Sequence, residues 1–279
     1  MKKIFSYFGL CSCLLFFLTA CTTTSTSNQV VSSETATSAD QTNPTAANYN
    51  VQLGVNYLQQ GDVQRAKRKL LLAMDQAPDS PQAQDAMGYY LSSTGDTSSA
   101  EKFYLKAIQL NPQAGSTHNN YGTYLCSIKR YQDADKQFML AVKDPKYINT
   151  AGAYENAGLC ALQIPDYPKA ASYFEKAILQ DPHRDNSYLQ LSQINFKQNN
   201  YAKAQQYLVQ YMQLNNDPSA EALWLGVRLA RIANDNETAG RYAMMLQTKY
   251  PTSTESKQLR ASQASLKNKK PDATIKFGF

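Results

Sequence analysis

The sequence is poor in the side chains from which catalytic and metal sites are usually built. It contains only two histidines, His118 and His183, which lie far apart in the chain. It has no His-x₃-His pair, no cysteine pair at metal-binding spacing, no glycine-rich phosphate loop and no Gly-x-Ser-x-Gly sequence. We therefore expect a protein that is not an enzyme and has no metal site, no cofactor and no small-molecule substrate.

The sequence also lacks the extended basic surface that is typical of nucleic-acid binding. The formal net charge is +6, and Lys2 and Lys3 at the N-terminus account for two of the positive charges. Within the repeats, no cluster of lysine and arginine runs along one face beyond the residues from Arg65 to Lys69. Because proteins that bind nucleic acids carry lysine and arginine along one face, we exclude a nucleic acid as a partner.

The N-terminal segment has the features of an export signal. Two lysines precede an apolar stretch from Ile4 to Leu18, which is too short to span a membrane comfortably. The next residues, up to Cys21, resemble the lipobox of bacterial lipoproteins, in which the cysteine carries the lipid. The alternative is an ordinary signal peptide with a chance cysteine. The resemblance implies a signal peptide over residues 1–20, a covalent lipid on Cys21 and, because Thr22 follows, sorting to the outer membrane.

A polar segment separates Cys21 from the rest of the chain. Residues 22–46 consist almost entirely of Thr, Ser, Ala, Asn and Gln, with no aromatic residue. Such a segment cannot bury enough apolar surface to offset the entropy of ordering it. We expect residues 21–46 to be the lipidated cysteine and a flexible linker.

Six alanines then recur at a nearly constant interval. They are separated by 34, 34, 36, 34 and 35 residues, and they are Ala66, Ala100, Ala134, Ala170, Ala204 and Ala239. The fullest copies of the surrounding pattern run from Gly54 to Pro78 and from Gly88 to Pro112. This period and pattern are the signature of the tetratricopeptide repeat, or TPR. We predict an all-α TPR superhelical solenoid with six repeats over residues 47–251.

The pattern also predicts which side chains pack together. Within each repeat, position 8 is usually small, which lets the second helix approach the first. Position 24 is bulky and is expected to fill the layer between repeats; its occupants are Leu70, Tyr104, Phe138, Phe174 and Leu208. Repeat six departs from the pattern, with Gly226 at position 7. A degenerate last repeat is typical of the end of a solenoid.

The C-terminal residues 252–279 are polar and rich in lysine. A terminal repeat needs a polar cap, so we expect a capping helix, with Ala261, Ala264 and Leu266 as its apolar face. The last residues, Ile275 to Phe279, are expected to form a flexible tail.

Two cysteines remain after the signal and the lipid site are set aside. Cys126 and Cys160 lie late in the first helices of repeats three and four, which are neighbours in a TPR array. An exported protein can hold a disulfide, so a bridge between them is one possibility. The other is that both are small buried hydrophobic residues.

First helices line the concave face of a TPR superhelix, and here they carry a distinctive set of side chains. A clamp for a C-terminal carboxylate needs basic residues at positions 2, 5, 6 and 9, and only Arg228 is basic there. The predicted groove is instead neutral, polar and aromatic, and it suits an extended segment or a helix of a partner protein. Its predicted residues are Tyr89, Asn119, Asn120, Thr123, Glu155, Asn156 and Leu159.

These helices carry a resemblance to a known family. The stretches Asn119–Cys126 and Tyr154–Ala161, the lengthened third repeat and the run Leu223–Ala230 are similar to the outer-membrane TPR lipoproteins of type IV pilus biogenesis, of the PilF/PilW type. The resemblance implies a pilotin-like protein on the periplasmic face of the outer membrane. Its expected partner is the pilus secretin, which it helps to reach the membrane and to form a ring. The alternative is a TPR scaffold lipoprotein of another envelope machine, for outer-membrane protein assembly or the cell wall.

Overall fold

The computed structural model describes residues 42–269, with side chains as far as residue 265. Every regular element in this range is a helix, which confirms the all-α prediction. The helices are α1 (Pro44–Gln59), α2 (Val63–Gln76), α3 (Pro81–Ser93), α4 (Thr97–Leu110), α5 (Gly115–Ser127), α6 (Tyr131–Ala141), α7 (Thr150–Leu162), α8 (Tyr167–Gln180), α9 (Asp185–Lys197), α10 (Tyr201–Leu214), α11 (Ala220–Ile232), α12 (Asn236–Lys249) and α13 (Thr254–Lys269). The expected signal peptide, Cys21, most of the linker and the tail from residue 270 onwards lie outside the described residues.

Helices α1 to α12 form the six predicted helix pairs, and this confirms the TPR solenoid. Each odd-numbered helix packs against the even-numbered helix that follows it. The first helix begins slightly earlier than the repeat pattern suggested, at Pro44, because the Asn43 side chain accepts a hydrogen bond from the Ala46 N–H at 3.0 Å. Caps of this kind contribute about 1 kcal/mol each to helix stability.

The turn inside five of the six helix pairs contains a residue in the left-handed region. Gly61 and Gly95 have φ values of 78° and 90°. Lys129, Asn199 and Asn234 occupy the corresponding turns of later repeats, with φ between 57° and 66°. Glycine takes this conformation without strain and asparagine tolerates it. The turn therefore fixes the antiparallel packing of the two helices in every repeat where it occurs.

A glycine facing a bulky side chain holds the two helices of most repeats together. A Cβ atom at Gly88 would lie 3.0 Å from Tyr104 Cδ1, and one at Gly158 would lie 2.8 Å from Phe174 Cε1. The position-24 residues Leu70, Tyr104, Phe138, Phe174 and Leu208 are all at most 1% exposed. This confirms them as core residues, each of which contributes roughly 1.5–3 kcal/mol by its burial.

Repeat six uses the same contact, displaced by one residue. A Cβ atom at Gly226 would lie 2.7 Å from Tyr242 Cδ2. Gly226 and Tyr242 each stand one position earlier in the repeat than their counterparts, so the spacing between them is unchanged. The irregular sequence of this repeat therefore preserves the packing of α11 on α12.

The extra residues of repeat three pack against the start of that repeat's own first helix. The Gly115 N–H donates a hydrogen bond to Asp144 Oδ2 at 2.9 Å. Tyr147 packs on the same glycine, since a Cβ atom there would lie 2.6 Å from Tyr147 Cβ. The insertion thus folds back on the start of α5.

The capping helix α13 is present, but its buried face is not the predicted one. Leu259 and Ser256 are fully buried, and Ser256 Oγ donates to the Leu246 carbonyl at 3.2 Å. Ala261 and Ala264 are exposed, so the prediction that they form the apolar face was wrong. The side chain of Leu266 lies outside the described residues. Helix α13 instead turns the face with Leu259 towards α11 and α12, where Leu259 joins their apolar cluster.

Successive first helices α1, α3, α5 and α7 contact one another and form the inner layer of the solenoid. The second helices lie on the outside, where several large apolar side chains are exposed, including Leu179 at 79% and Met244 at 70%. Within residues 42–269, no helix combines the length and apolar character needed to cross a membrane.

Candidate functional site

The inner layer forms a cavity of about 590 Å³, which we call the inner groove. It is built by four first helices and the edge of α4. Its lining residues are Val51, Val55, Gln59, Gln82, Asp85, Ala86, Tyr89, Ser92, Ser93, Tyr104, Asn119, Asn120, Thr123, Tyr124, Ser127 and Asn156. Five of the predicted groove residues, Tyr89, Asn119, Asn120, Thr123 and Asn156, are therefore brought together here.

Two amide hydrogen bonds join three helices along the inner groove. Asn156 Nδ2 on α7 donates to Asn119 Oδ1 on α5 at 3.0 Å. Asn120 Nδ2 on α5 donates to Asp85 Oδ2 on α3, also at 3.0 Å. Residues on neighbouring repeats thus hold each other in place, and the polar side of the groove is ordered before a partner arrives.

Asp85 is the most unusual group in the inner groove. It is 9% exposed, and its Oδ1 has no hydrogen-bond partner within the described residues. Burial raises the pKa of the carboxyl to about 7, because the charged form has lost its hydration. The side chains of Asn120 and Thr117 oppose this rise, although Thr117 completes no hydrogen bond to Oδ1. Unpartnered buried polar atoms are rare in native structures.

Tyrosines give the inner groove a rigid aromatic side. The Tyr104 and Tyr124 rings lie 5.5 Å apart, and Tyr121 stacks on Tyr124 at 5.9 Å. Tyr124 Oη donates to the Thr97 carbonyl at 2.8 Å. Tyr89 is the half-buried member that faces the cavity.

A second cavity of about 350 Å³ continues the inner groove. It shares Thr123, Ser127 and Asn156 with the first cavity and also includes Leu159, another predicted groove residue. The two cavities together therefore form one continuous surface across repeats one to four.

Cys126 and Cys160 line this second cavity and are joined in a disulfide, with their Cα atoms 5.9 Å apart. Of the two alternatives that the sequence left open, the structure has the bridge. It joins α5 to α7 about one to two helical turns from the Asn156–Asn119 hydrogen bond. The two helices that present the amides are thereby fixed relative to each other.

Glu155 is the predicted groove residue that lies apart from the inner groove. Its Oε2 accepts a hydrogen bond from Ser187 Oγ at 2.6 Å, and its Oε1 lies 4.0 Å from Arg184 Nη1. Glu155 thus bridges repeat four to repeat five. Its carboxylate already has partners, and we assign it a structural role.

The charge of the inner groove comes from a single carboxyl. Among the described residues that line it there is no lysine, arginine or histidine. Arg228, the basic residue at a clamp position, lies on α11 with its guanidinium 4.0 Å from the centre of the Phe196 ring. The inner groove itself therefore has no cationic side chain for a free carboxylate, and the continuing second cavity contributes one lysine, Lys129.

The histidines are not placed as a catalytic or metal site. His118 is buried, with its Nδ1 2.7 Å from Gln137 Oε1 and its Nε2 2.9 Å from the Pro112 carbonyl. His183 is exposed in the turn before α9. Within the described part of the chain, no group of three or more histidine, cysteine, aspartate or glutamate side chains could hold a metal ion.

Comparison with known proteins places the chain in a family. Tetratricopeptide repeat models match residues 81–114 and 165–225. The type IV pilus assembly protein PilF of Pseudomonas aeruginosa is 30% identical over 246 residues, which cover 88% of this chain and 94% of PilF. This chain belongs to the PilF family.

Solved structures agree with membership of the PilF family. The structure of Pseudomonas aeruginosa PilF superposes with a TM-score of 0.70 at 31% identity, covering 78% of this chain and 97% of that one. PilW, described as a widely conserved type IV pilus biogenesis factor, has the same fold, with a TM-score of 0.68 at 22% identity over 77% of this chain and 99% of PilW. This PilF-family chain is thus a TPR protein of type IV pilus biogenesis.

Asp85 is the groove residue that the sequence analysis missed. It stands at position 5 of repeat two, the position that Asn119 occupies in repeat three and Glu155 in repeat four. The one feature of the sequence that could have identified Asp85 is an acidic residue at a position that faces the next repeat. The sequence could not show that this carboxyl is buried and keeps one oxygen unpaired, because both depend on how α3 packs against α5.

Proposed function

We propose that this PilF-family protein is an outer-membrane lipoprotein that binds the secretin of the type IV pilus through the inner groove. In this role it is a pilotin: a lipid on Cys21 carries the protein and its bound secretin to the outer membrane, where the secretin forms its ring. The observation that carries the proposal is the similarity to PilF over 88% of the chain, combined with an ordered groove lined by amide and tyrosine side chains.

The dimensions of the inner groove suit a peptide segment. Neighbouring packed helices lie about 8–10 Å apart, so four first helices span about 25–30 Å. An extended segment advances about 3.3 Å per residue, and roughly eight residues fill this length. The apolar side, with Val51, Val55 and Tyr89, would bury side chains of such a segment, and the amides would bind its main chain.

The lipid supplies the location. Each methylene of an acyl chain contributes about 0.8 kcal/mol when it enters the bilayer, so several chains on one cysteine hold a protein firmly. The polar residues between Cys21 and α1 give the folded domain reach away from the membrane surface.

Affinity capture tests the partner. The full chain is solubilised in detergent from piliated cells, captured by a C-terminal tag, and its co-purifying proteins are identified by mass spectrometry. We expect the pilus secretin as the main partner. Components of outer-membrane protein assembly or cell-wall machinery in its place would contradict the proposal and favour a scaffold in another envelope machine.

A groove variant tests the binding surface. Thr123→Ala combined with Asn156→Ala removes polar groups from the part shared by both cavities. Each lost hydrogen bond is worth about 1 kcal/mol, so we expect secretin affinity to fall about 30-fold. The lost Asn156–Asn119 bond should lower the stability of the domain by about 1 kcal/mol and leave one cooperative unfolding transition. Gln206→Ala with Gln210→Ala, on the outer helix α10, is the matched control and should bind normally.

A lipidation variant tests the transport role. Cys21→Ser removes the expected acylation site, and we expect the secretin to accumulate at the inner membrane although it still binds the protein. Normal secretin rings in the outer membrane of this variant would contradict transport by the lipid.

A further inference from the structure

Lys129 has a backbone conformation that lysine rarely adopts. Its φ is 66°, in the turn between α5 and α6. The equivalent turn residue is glycine in repeats one and two and asparagine in repeats five and six. Glycine takes this conformation without strain and asparagine tolerates it, whereas a lysine there strains the backbone. Residues held in such conformations cluster at ligand-binding sites, so the side chain of Lys129 is a candidate for a binding role.

The ammonium group of Lys129 has no counter-charge. The side chain is exposed and lines the second cavity. Among the described residues Lys129 makes no salt bridge, whereas Arg130, the next residue, pairs with both Glu101 and Asp133. The described residues that line the second cavity include no aspartate or glutamate. This cavity therefore has one positive charge at its edge and no negative charge to balance it.

The wall of the second cavity is largely apolar. It consists of the side chains of Tyr131, Phe138 and Leu159 and the Cys126–Cys160 disulfide. Such a wall, around a volume of about 350 Å³, suits an apolar side chain of a bound segment. The single ammonium group matches the single charge of a carboxylate, whereas a phosphate group carries nearly two negative charges. The second cavity thus favours an acidic peptide over a phosphorylated one.

We propose that the second cavity is an acidic–apolar subsite. An apolar side chain of the bound segment enters the cavity, and the carboxylate of an adjacent aspartate or glutamate accepts a hydrogen bond from Lys129 Nζ. This proposal rests on the proposed role of the groove as the partner site. It adds that the recognised segment carries an acidic residue next to an apolar one where it passes from the inner groove into the second cavity.

A random dodecapeptide phage library is the probe, because it assumes no partner. Panned against the full wild-type chain in detergent, the library should yield binders in which an aspartate or glutamate adjoins an apolar residue. In a synthetic copy of the strongest binder, we expect replacement of the acidic residue by its amide to weaken binding about tenfold, because a charge-assisted hydrogen bond is lost. No enrichment of such pairs, or an amide peptide that binds equally well, would overturn the proposal.

Lys129→Gly locates the contact on the protein. Glycine suits this turn, as Gly61 and Gly95 show, so the variant should fold and melt at or above the wild-type temperature. We expect the acidic peptide to bind it about tenfold more weakly, and Lys129→Arg to keep most of the affinity because it keeps the charge. Lys102→Gln, exposed on the outer helix α4, controls for the loss of one positive charge and should bind normally. Unchanged affinity of folded Lys129→Gly for the acidic peptide would refute the assignment.

Combining the two changes tests whether the groups contact each other. If the peptide carboxylate is paired with Lys129, the amide peptide should bind wild type and Lys129→Gly with the same affinity. A further loss of about tenfold in the combination would mean that the two effects are independent. The carboxylate would then bind elsewhere, and the subsite would be wrong.

The two proposals can fail separately. If the secretin is captured equally by wild type and folded Lys129→Gly, the acidic–apolar subsite is wrong and the proposed function stands. If acidic peptides bind through Lys129 but no secretin is captured by the wild type, the subsite stands and the proposed partner is wrong.

Discussion

The stability of the protein should depend on pH through Asp85. Its pKa is raised from 3.8 to about 7 by burial. Between these two values the folded state holds a proton that the unfolded state has released. Stability therefore falls as the pH rises through this window, since the carboxyl must ionise in a site that does not hydrate it.

The magnitude follows from the size of the shift. One pKa unit corresponds to about 1.4 kcal/mol, so a shift from 3.8 to about 7 is worth about 4 kcal/mol at most. Part of this loss of stability has already occurred at pH 5, because the carboxyl of the unfolded state is ionised there. The remaining change between pH 5 and pH 8 is about 2–3 kcal/mol. Surface carboxyls with lowered pKa values, such as those of Asp62 and Asp235, keep their charge throughout this range.

Substitution of Asp85 by asparagine isolates this effect. The variant has no carboxyl to ionise, so its stability relative to the wild type should increase by about 2–3 kcal/mol between pH 5 and pH 8. Urea denaturation followed by circular dichroism at pH 5, 6, 7 and 8 measures the difference, and the pH dependence of all other groups cancels in it. Asp75→Asn, on the exposed surface of α2, is the control, and its free energy of unfolding should change with pH in the same way as that of the wild type.

Parallel stability curves of the wild type and Asp85→Asn would refute the reasoning. They would mean that Asp85 is hydrated or paired in solution. The description of Asp85 as a buried carboxyl that loses its hydration on folding would then lose its physical basis.

Two further predictions concern packing and cross-linking. Cys126→Ser removes the bridge that closes a sequence separation of 34, and should cost about 3–4 kcal/mol in urea denaturation; unchanged stability would show that the bridge is not formed in solution. Gly158→Ala places a Cβ atom 2.8 Å from Phe174 Cε1 and should destabilise by about 1–3 kcal/mol. Gly240→Ala adds a Cβ atom that meets nothing within 4 Å and should stabilise the protein by about 0.5–1 kcal/mol. A higher melting temperature for Gly158→Ala than for Gly240→Ala would contradict this packing.

The fold could be predicted from the sequence because its information is local and repeated. The spacing between Gly88 and Tyr104 recurs between Gly158 and Phe174, and each copy encodes the same contact inside one helix pair. Even repeat six, which departs from the consensus, keeps this spacing between Gly226 and Tyr242. Periodicity of this kind survives substitution at most other positions.

The sequence was enough to predict where the site lies, but not the burial and hydrogen-bond partners of its residues. TPR numbering alone brought Asn119, Asn120 and Asn156 to the inner groove. It could not show that Glu155 binds Ser187 instead, or that Asp85 is buried, because such outcomes depend on contacts between successive repeats. The buried face of the capping helix was mispredicted for the same reason, since it is set by the surface that α11 and α12 present to Leu259.

Photo-crosslinking in piliated cells tests most directly the claim that the inner groove binds the secretin. Benzoylphenylalanine is placed at Thr123, which is exposed in the groove, or at Leu179, which is 79% exposed on the outer helix α8. Both positions tolerate a large side chain without disturbing the core. We predict a covalent adduct with the secretin from Thr123 and none from Leu179. An adduct from Leu179 but not from Thr123 would place the interface on the outer helices and contradict the account.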